Sequence, residues 1–161
     1  MIFQSSKTCS YFLVMIMALM ILSCKQIDVY EHNIPIANYK WQQKDTLKGS
    51  FIISDTTASY NIYIVLRHTD AYMYNNLWLN VGLKTPGDSM FFQHVNLTLG
   101  ADASGWEGTG MNDIWEARKP LFSPPRRFKK SGEYKFSITH IMRDNPLLNM
   151  MSAGLRVQKV N

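Results

Sequence analysis

The sequence predicts an all-β protein, a single antiparallel β-sandwich or jelly-roll-like domain. Three observations carry that expectation. Beyond the first two dozen residues, apolar side chains recur with a period of two; turn-forming residues separate the alternating runs; and no long stretch has the 3.6-residue period of a helix that would cover a parallel sheet. The composition, 46% hydrophobic and 18% charged, is that of a chain able to bury a core.

The N-terminal segment reads differently from the rest. Lys7 precedes an uncharged apolar run over residues 11–22, and no acidic residue occurs before Asp28. This is the pattern of a secretory signal, and about a dozen apolar residues fall short of the ~20 that span a bilayer. The run closes on Ile21-Leu22-Ser23-Cys24, a small residue followed by cysteine. Residues 1–23 are therefore expected to be a lipoprotein signal peptide, with Cys24 as the acylated first residue of a lipid-anchored domain over residues 24–161. The alternative is a plain signal peptide or uncleaved anchor in which Cys24 stands by chance. With Cys9 removed and Cys24 acylated, no free thiol remains, which excludes disulfides, thiolate metal sites and a cysteine nucleophile. Strand-like residues begin at 27, so the tether spans at most ~20 Å and the domain is expected close to the membrane surface.

In chain order, Leu47, Gly49, Phe51 and Ile53 alternate with Lys48 and Ser50, and Ile62, Ile64 and Leu66 alternate with Asn61, Tyr63 and Arg67. Leu77, Leu79, Val81 and Leu83 give the clearest alternation. Phe91, Val95, Leu97 and Leu99 mark a fourth strand, Tyr134, Phe136 and Ile138 a fifth, and Leu155 with Val157 a sixth. Weaker strands are expected at 27–32 and around Trp115. Ser54-Asp55-Thr56-Thr57, Pro86-Gly87-Asp88 and Ser131-Gly132 supply turns. Residues 145–151, with Pro146 near their start, suggest one helical turn.

Candidate chemistry is sparse. His32, His68, His94 and His140 are scattered singly, without the spacing of a metal site, and read as half-exposed strand residues; no metal and no cofactor are expected. Gly105-Trp106-Glu107-Gly108-Thr109-Gly110 is not a phosphate loop, since no lysine follows and Ile114-Trp115-Glu116 looks extended. Its glycines are expected to shape a loop around a partly buried Trp106. Glu107 with Asp113 or Glu116 is the one local carboxylate cluster, and a solvated loop accounts for it. No catalytic residues are singled out.

Binding features are clearer. The net charge is +5, and Arg118, Lys119, Arg126, Arg127, Lys129, Lys130 and Lys135 face only Glu133 between residues 118 and 135. Such a patch suits anionic headgroups or an acidic partner, or else keeps solvated strand edges from pairing. Nucleic acid and a small-molecule substrate are not expected. The stretch containing Tyr72, Tyr74 and Trp78 either anchors a partner or packs a sandwich corner. A glycan-binding surface lipoprotein, with Trp78, Trp106 or Trp115 stacking on sugars, is the alternative function.

Taken together, Tyr60-Asn61, Leu66-Arg67, Tyr72, Tyr74, Asn76-Leu77-Trp78, Gly105-Trp106, Gly108, Gly110, Asp113-Ile114-Trp115, Gly132-Glu133-Tyr134, Met142-Arg143 and Gly154-Leu155-Arg156-Val157 carry a resemblance in order and spacing. The chain resembles the gliding-motility lipoproteins of the GldH type from Bacteroidetes. In that pattern a basic residue often follows Trp-x-Gly and a glycine precedes the aspartate; Thr109 and Asn112 stand there in this chain. The resemblance implies an outer-membrane-associated lipoprotein of the cell envelope, needed for gliding and linked to the type IX secretion machinery. It implies partners among other envelope proteins and no catalytic activity. Tyr72, Tyr74, Trp78, Trp106, Arg126, Arg127 and Lys130 are the candidate partner-binding residues.

Overall fold

The computed structural model describes residues 28–160, so Cys24 and the signal segment lie outside the described residues. The strands in chain order are β1 Asp28–Pro35, β2 Lys40–Trp41, β3 Leu47–Ile53, β4 Ser59–Thr69, β5 Asn76–Lys84, β6 Met90–Thr98 and β7 Gly100–Ala101. They continue as β8 Gly105–Trp106, β9 Thr109–Met111, β10 Ile114–Pro120, β11 Arg126–Arg127, β12 Gly132–His140, β13 Leu147–Leu148 and β14 Met150–Val160.

Two antiparallel sheets form the sandwich that the period-two pattern predicts. The larger has the order β1-β14-β4-β10-β9, with β11 pairing further along β4; the smaller has the order β3-β12-β5-β6. The central strands β4 and β12 are buried along one whole face because their inward positions are apolar or aromatic up to a histidine at one end of each, His68 and His140. Ile62, Ile64 and Leu66 meet Leu79, Val81, Phe136 and Ile138 across the core, all at 1% exposure or less. Each such side chain contributes about 1.5–3 kcal/mol relative to solvent. One flank of the sandwich is closed by Tyr30 of β1, whose ring lies 5.9 Å from Phe51 and 6.1 Å from Phe136. The other flank ends at β6, an edge strand on which Phe91 and Phe92 remain exposed.

Two expectations are corrected. Residues 145–151 form no helical turn: Leu147 pairs with Trp41 as part of β13 and is buried, Asn149 takes a φ of 66°, and β14 starts at Met150. Burial of Leu147 and Met150 on opposite sides of that left-handed residue decides the conformation over local propensity. Likewise His68 and His140 are not half-exposed; both are at most 1% exposed. His68 shares the inward register of Ile62, Ile64 and Leu66 on β4.

The register also defines two ends. Asp28 lies opposite Gln158, Gln158 opposite Asn61, and Arg127 opposite Ser59. The start of β1, the end of β14, the turn before β4, the β5–β6 hairpin and β11 thus share one end. The β7–β8 hairpin, the β9–β10 turn and the segment after β12 share the other.

Candidate functional site

The candidate residues fall into two groups at opposite ends. At the far end the chain leaving β4 turns through a Tyr72 N–H to Thr69 carbonyl bond of 3.0 Å and runs Tyr72-Met73-Tyr74 into β5. Tyr72 is 3% exposed, and its hydroxyl donates to the Asn76 carbonyl at 2.9 Å. Burial pushes that phenol well above its ordinary value. Of the two readings of the aromatic stretch, corner packing therefore describes Tyr72. Tyr74 is half-buried and donates to Asp144 at 2.5 Å.

Trp106 is brought to the same place by the β7–β8 hairpin. The Glu107 N–H bonds the Leu99 carbonyl at 2.7 Å, and Gly105 and Gly108 take φ values of 73° and 113°. A Cβ at Gly108 would sit 2.1 Å from the Glu116 carbonyl oxygen, so only glycine lets the loop lie against β10. The Trp106 ring then meets His68 at 4.6 Å and Tyr72 at 6.1 Å, half-buried as expected. On β10 Trp115 is half-buried too, its indole N–H donating to Asp70. Asn112 takes a φ of 57°, a conformation asparagine tolerates better than other side chains.

His68 is only half satisfied. Its Nδ1 faces the Thr69 carbonyl at 3.0 Å and so carries the proton, while Nε2 is buried without a protein partner. Burial pushes its pKa below the ordinary value, and His140, 3.0 Å from the Trp41 carbonyl through Nε2, is lowered for the same reason. Trp78 alone of the candidate aromatics is largely open. It stands 42% exposed on the outer face of the smaller sheet, beside a cleft of about 790 Å³ that includes Asn76, His94 and Asp144.

At the near end, Phe128 is driven into the core against Tyr60 and Tyr134, at 5.3 and 4.6 Å, and this fixes the basic residues on either side of it at the surface. Arg126 lies 3.7 Å over the Phe122 ring. Lys130 bridges both Asp88 oxygens at 2.9 Å. Arg127 and Lys129 are exposed and have no acidic partner among the described residues. Beneath them is a cleft of about 300 Å³, lined in part by Ile62, Leu83 and Phe128.

The basic run is less one-sided than its local sequence, because remote strands deliver acids to it. Arg118 pairs with Glu116 at 2.9 Å, and Lys119 pairs with Glu107. Glu116 also takes Arg67 at 2.7 Å, while Glu31 joins Arg156 at 3.2 Å to Arg118 at 3.7 Å. Burial would raise the Glu116 carboxyl, but the two arginines outweigh it and its pKa is lowered. Glu107 and Glu116 are thus held in separate ion pairs rather than facing one another. This network across β1, β14, β4 and β10 escaped the sequence reading, although each member sits at an outward period-two position. Among the described residues no group of three His, Cys, Asp or Glu could hold a metal ion, and no helix is long and apolar enough to cross a membrane.

The sequence model of the GldH lipoprotein family matches residues 28–157, from the start of β1 into β14. The chain belongs to the GldH lipoprotein family. It is 26% identical over 157 residues to the gliding motility lipoprotein GldH homolog of Christiangramia forsetii, covering 93% of this chain and 95% of the relative. It is 24% identical over 133 residues to the gliding motility lipoprotein GldH of Flavobacterium johnsoniae, covering 83% and 81%. No solved structure matches.

Proposed function

We propose that this GldH lipoprotein is a non-catalytic accessory or scaffolding component of the gliding-motility and type IX secretion machinery. It is held in the outer membrane by acyl chains on Cys24 and binds other envelope proteins through its surface, with no cofactor, nucleic acid or small-molecule substrate. The observation that carries this reading is the extent of the family match: residues 28–157 take in both sheets and both ends, so what the family shares is the whole body. A shared body in which Glu107 and Glu116 are tied into separate ion pairs suits an assembly part better than an enzyme. Crosslinking in the intact envelope followed by mass spectrometry tests it. Recovery of gliding or secretion components as neighbours is expected, as is a Cys24→Ala protein released from the membrane fraction. A variant that stays membrane-bound and active removes the anchor, and a purified protein that turns over a substrate removes the non-catalytic assignment.

The glycan-binding alternative narrows to one place. Trp106 is wedged against His68 and Trp115 is half-buried with its indole N–H committed to Asp70, whereas Trp78 offers an open indole beside Asn76, His94 and Asp144. Glycan-array binding abolished by Trp78→Ala would favour it; no array signal ends it.

A further inference from the structure

We infer that the β11 end of the sandwich is a docking face for anionic phospholipid headgroups, so that the domain stands on the membrane with this end down. The inference rests on the reading of Cys24 as the lipid anchor and adds an orientation and a ligand class to it.

The first observation is where the tether arrives. Only Lys25, Gln26 and Ile27 separate Cys24 from Asp28, so about 14 Å is the longest gap between the anchored residue and the start of β1. β1 starts at the same end as β11, since Asp28, Gln158 and Asn61 lie in one row and Arg127 pairs with Ser59 two residues along β4. A protein partner would have to fit into that gap; a headgroup layer already fills it.

The second observation is charge. Lys84, Arg126, Arg127 and Lys129 are exposed at this end, and none has an acidic partner among the described residues. The far end instead carries Asp45, Asp70, Asp102, Asp113 and Asp144. Carboxylates are present at the near end too, Asp28 at the start of β1 and Asp55, Asp88 and Glu133 paired with Lys159, Lys130 and Lys135, but the unpaired cations leave that end net positive, whereas the five far-end aspartates outnumber Lys40, Lys44 and Arg143. A basic side chain close to an anionic bilayer contributes about fivefold in affinity.

The third observation is the shape between the cations. The cleft of about 300 Å³ is lined by Arg126, Arg127 and Lys129, by Asp88 in its ion pair with Lys130, and by apolar residues including Ile62, Leu83 and Phe128. That combination suits a phosphodiester against the cations with its glycerol and upper acyl carbons against the apolar residues. Phe91, 70% exposed, lines an adjoining cleft of about 330 Å³ with Phe122 and Arg126, which extends the apolar surface toward the same edge.

The test uses the acylated protein purified from membranes and reconstituted in vesicles of phosphatidylcholine alone or with roughly a third phosphatidylglycerol. The mass of its N-terminal peptide is measured first. A fluorophore on Lys129→Cys or on Asp102→Cys, each then the one free thiol, is quenched by a nitroxide on lipid headgroups. Docking predicts several-fold stronger quenching at position 129 than at 102, only with phosphatidylglycerol present. That difference disappears in Arg126→Glu/Arg127→Glu and partly in Arg126→Gln/Arg127→Gln, with circular dichroism confirming an unchanged β content. Equal quenching at the two positions, or no dependence on phosphatidylglycerol, overturns the proposal. So does a label at 129 that is open in these vesicles but shielded in the native envelope, which assigns the face to a protein. If the mass shows Cys24 unacylated, the anchor reading fails by itself. Docking is then decided by flotation of that chain with the two vesicle types: binding at least about tenfold tighter with phosphatidylglycerol retains it, and equal binding overturns it.

Discussion

The two ends of the sandwich both bury aromatic rings but differ in what they leave at the surface. The far end is closed by aromatic rings and two buried imidazoles, with tyrosine hydroxyls and an indole N–H each committed to one acceptor. The near end also buries rings, Phe51, Tyr60, Phe128 and Tyr134, with both tyrosine hydroxyls bonded to carbonyls, but leaves its cations in water, joined by open ion pairs such as Lys130 with Asp88 and Lys159 with Asp55. The surface of the far end is therefore expected to contribute more to stability than that of the near end, where adaptable charge lies.

The sharpest way to break this contrast is Gly108→Ala. The added methyl would collide with the Glu116 carbonyl at a φ of 113°, so a loss of about 3 kcal/mol or more is expected in a denaturant titration, together with loosening of Trp106. Trp106→Ala should cost less, about 2–3 kcal/mol, because the ring is only half-buried. Melting temperatures that stay at the wild-type value in both variants would mean that the far end adds no such stability.

The ends should also separate by pH. His68 and His140 have folded pKa values below 6.5, so as pH falls through that value the unfolded chain takes up protons that the folded chain refuses. Their contribution is complete above that point and is lost on acidification. At the near end the Lys159 bond, followed by those from Thr57, holds Asp55 well below the usual carboxylate range, so its contribution persists until pH drops below about 3.8. Melting curves from neutral to mildly acidic pH should therefore show destabilisation that His68→Asn reduces and Lys159→Met leaves intact. The smallest effect is expected for Lys130→Ala, under about 1 kcal/mol, because its bridge to Asp88 is about half exposed on both sides.

Most of the framework was legible in the residues. The six alternating runs became β3, β4, β5, β6, β12 and β14, the signal being strongest over β5, where four inward positions repeat, and shortest over β14, marked by Leu155 and Val157 alone. Two-residue strands such as β2, β11 and β13 left no trace, since two residues hold no repeat of a period of two. The basic patch was legible as a cluster but not in its neutralisation, because Glu31 and Asp88 come from strands and turns distant in sequence. Tyr72 and Trp78 are six residues apart in one aromatic stretch, yet one is core and the other surface. Only the point where the chain turns into β5, set by tertiary packing, separates them. The burial of His68 could have been found, since it continues the inward row of β4.

One pairing decides the order in which the molecule can be assembled. β14, ending at Val160, lies between β1 and β4, and β1 has no other ladder partner among the described residues. A chain that emerges N-terminus first thus presents its leading strand long before the neighbour it needs. The larger sheet closes only when β14 arrives, a late and long-range step that leaves β1 unpaired until then.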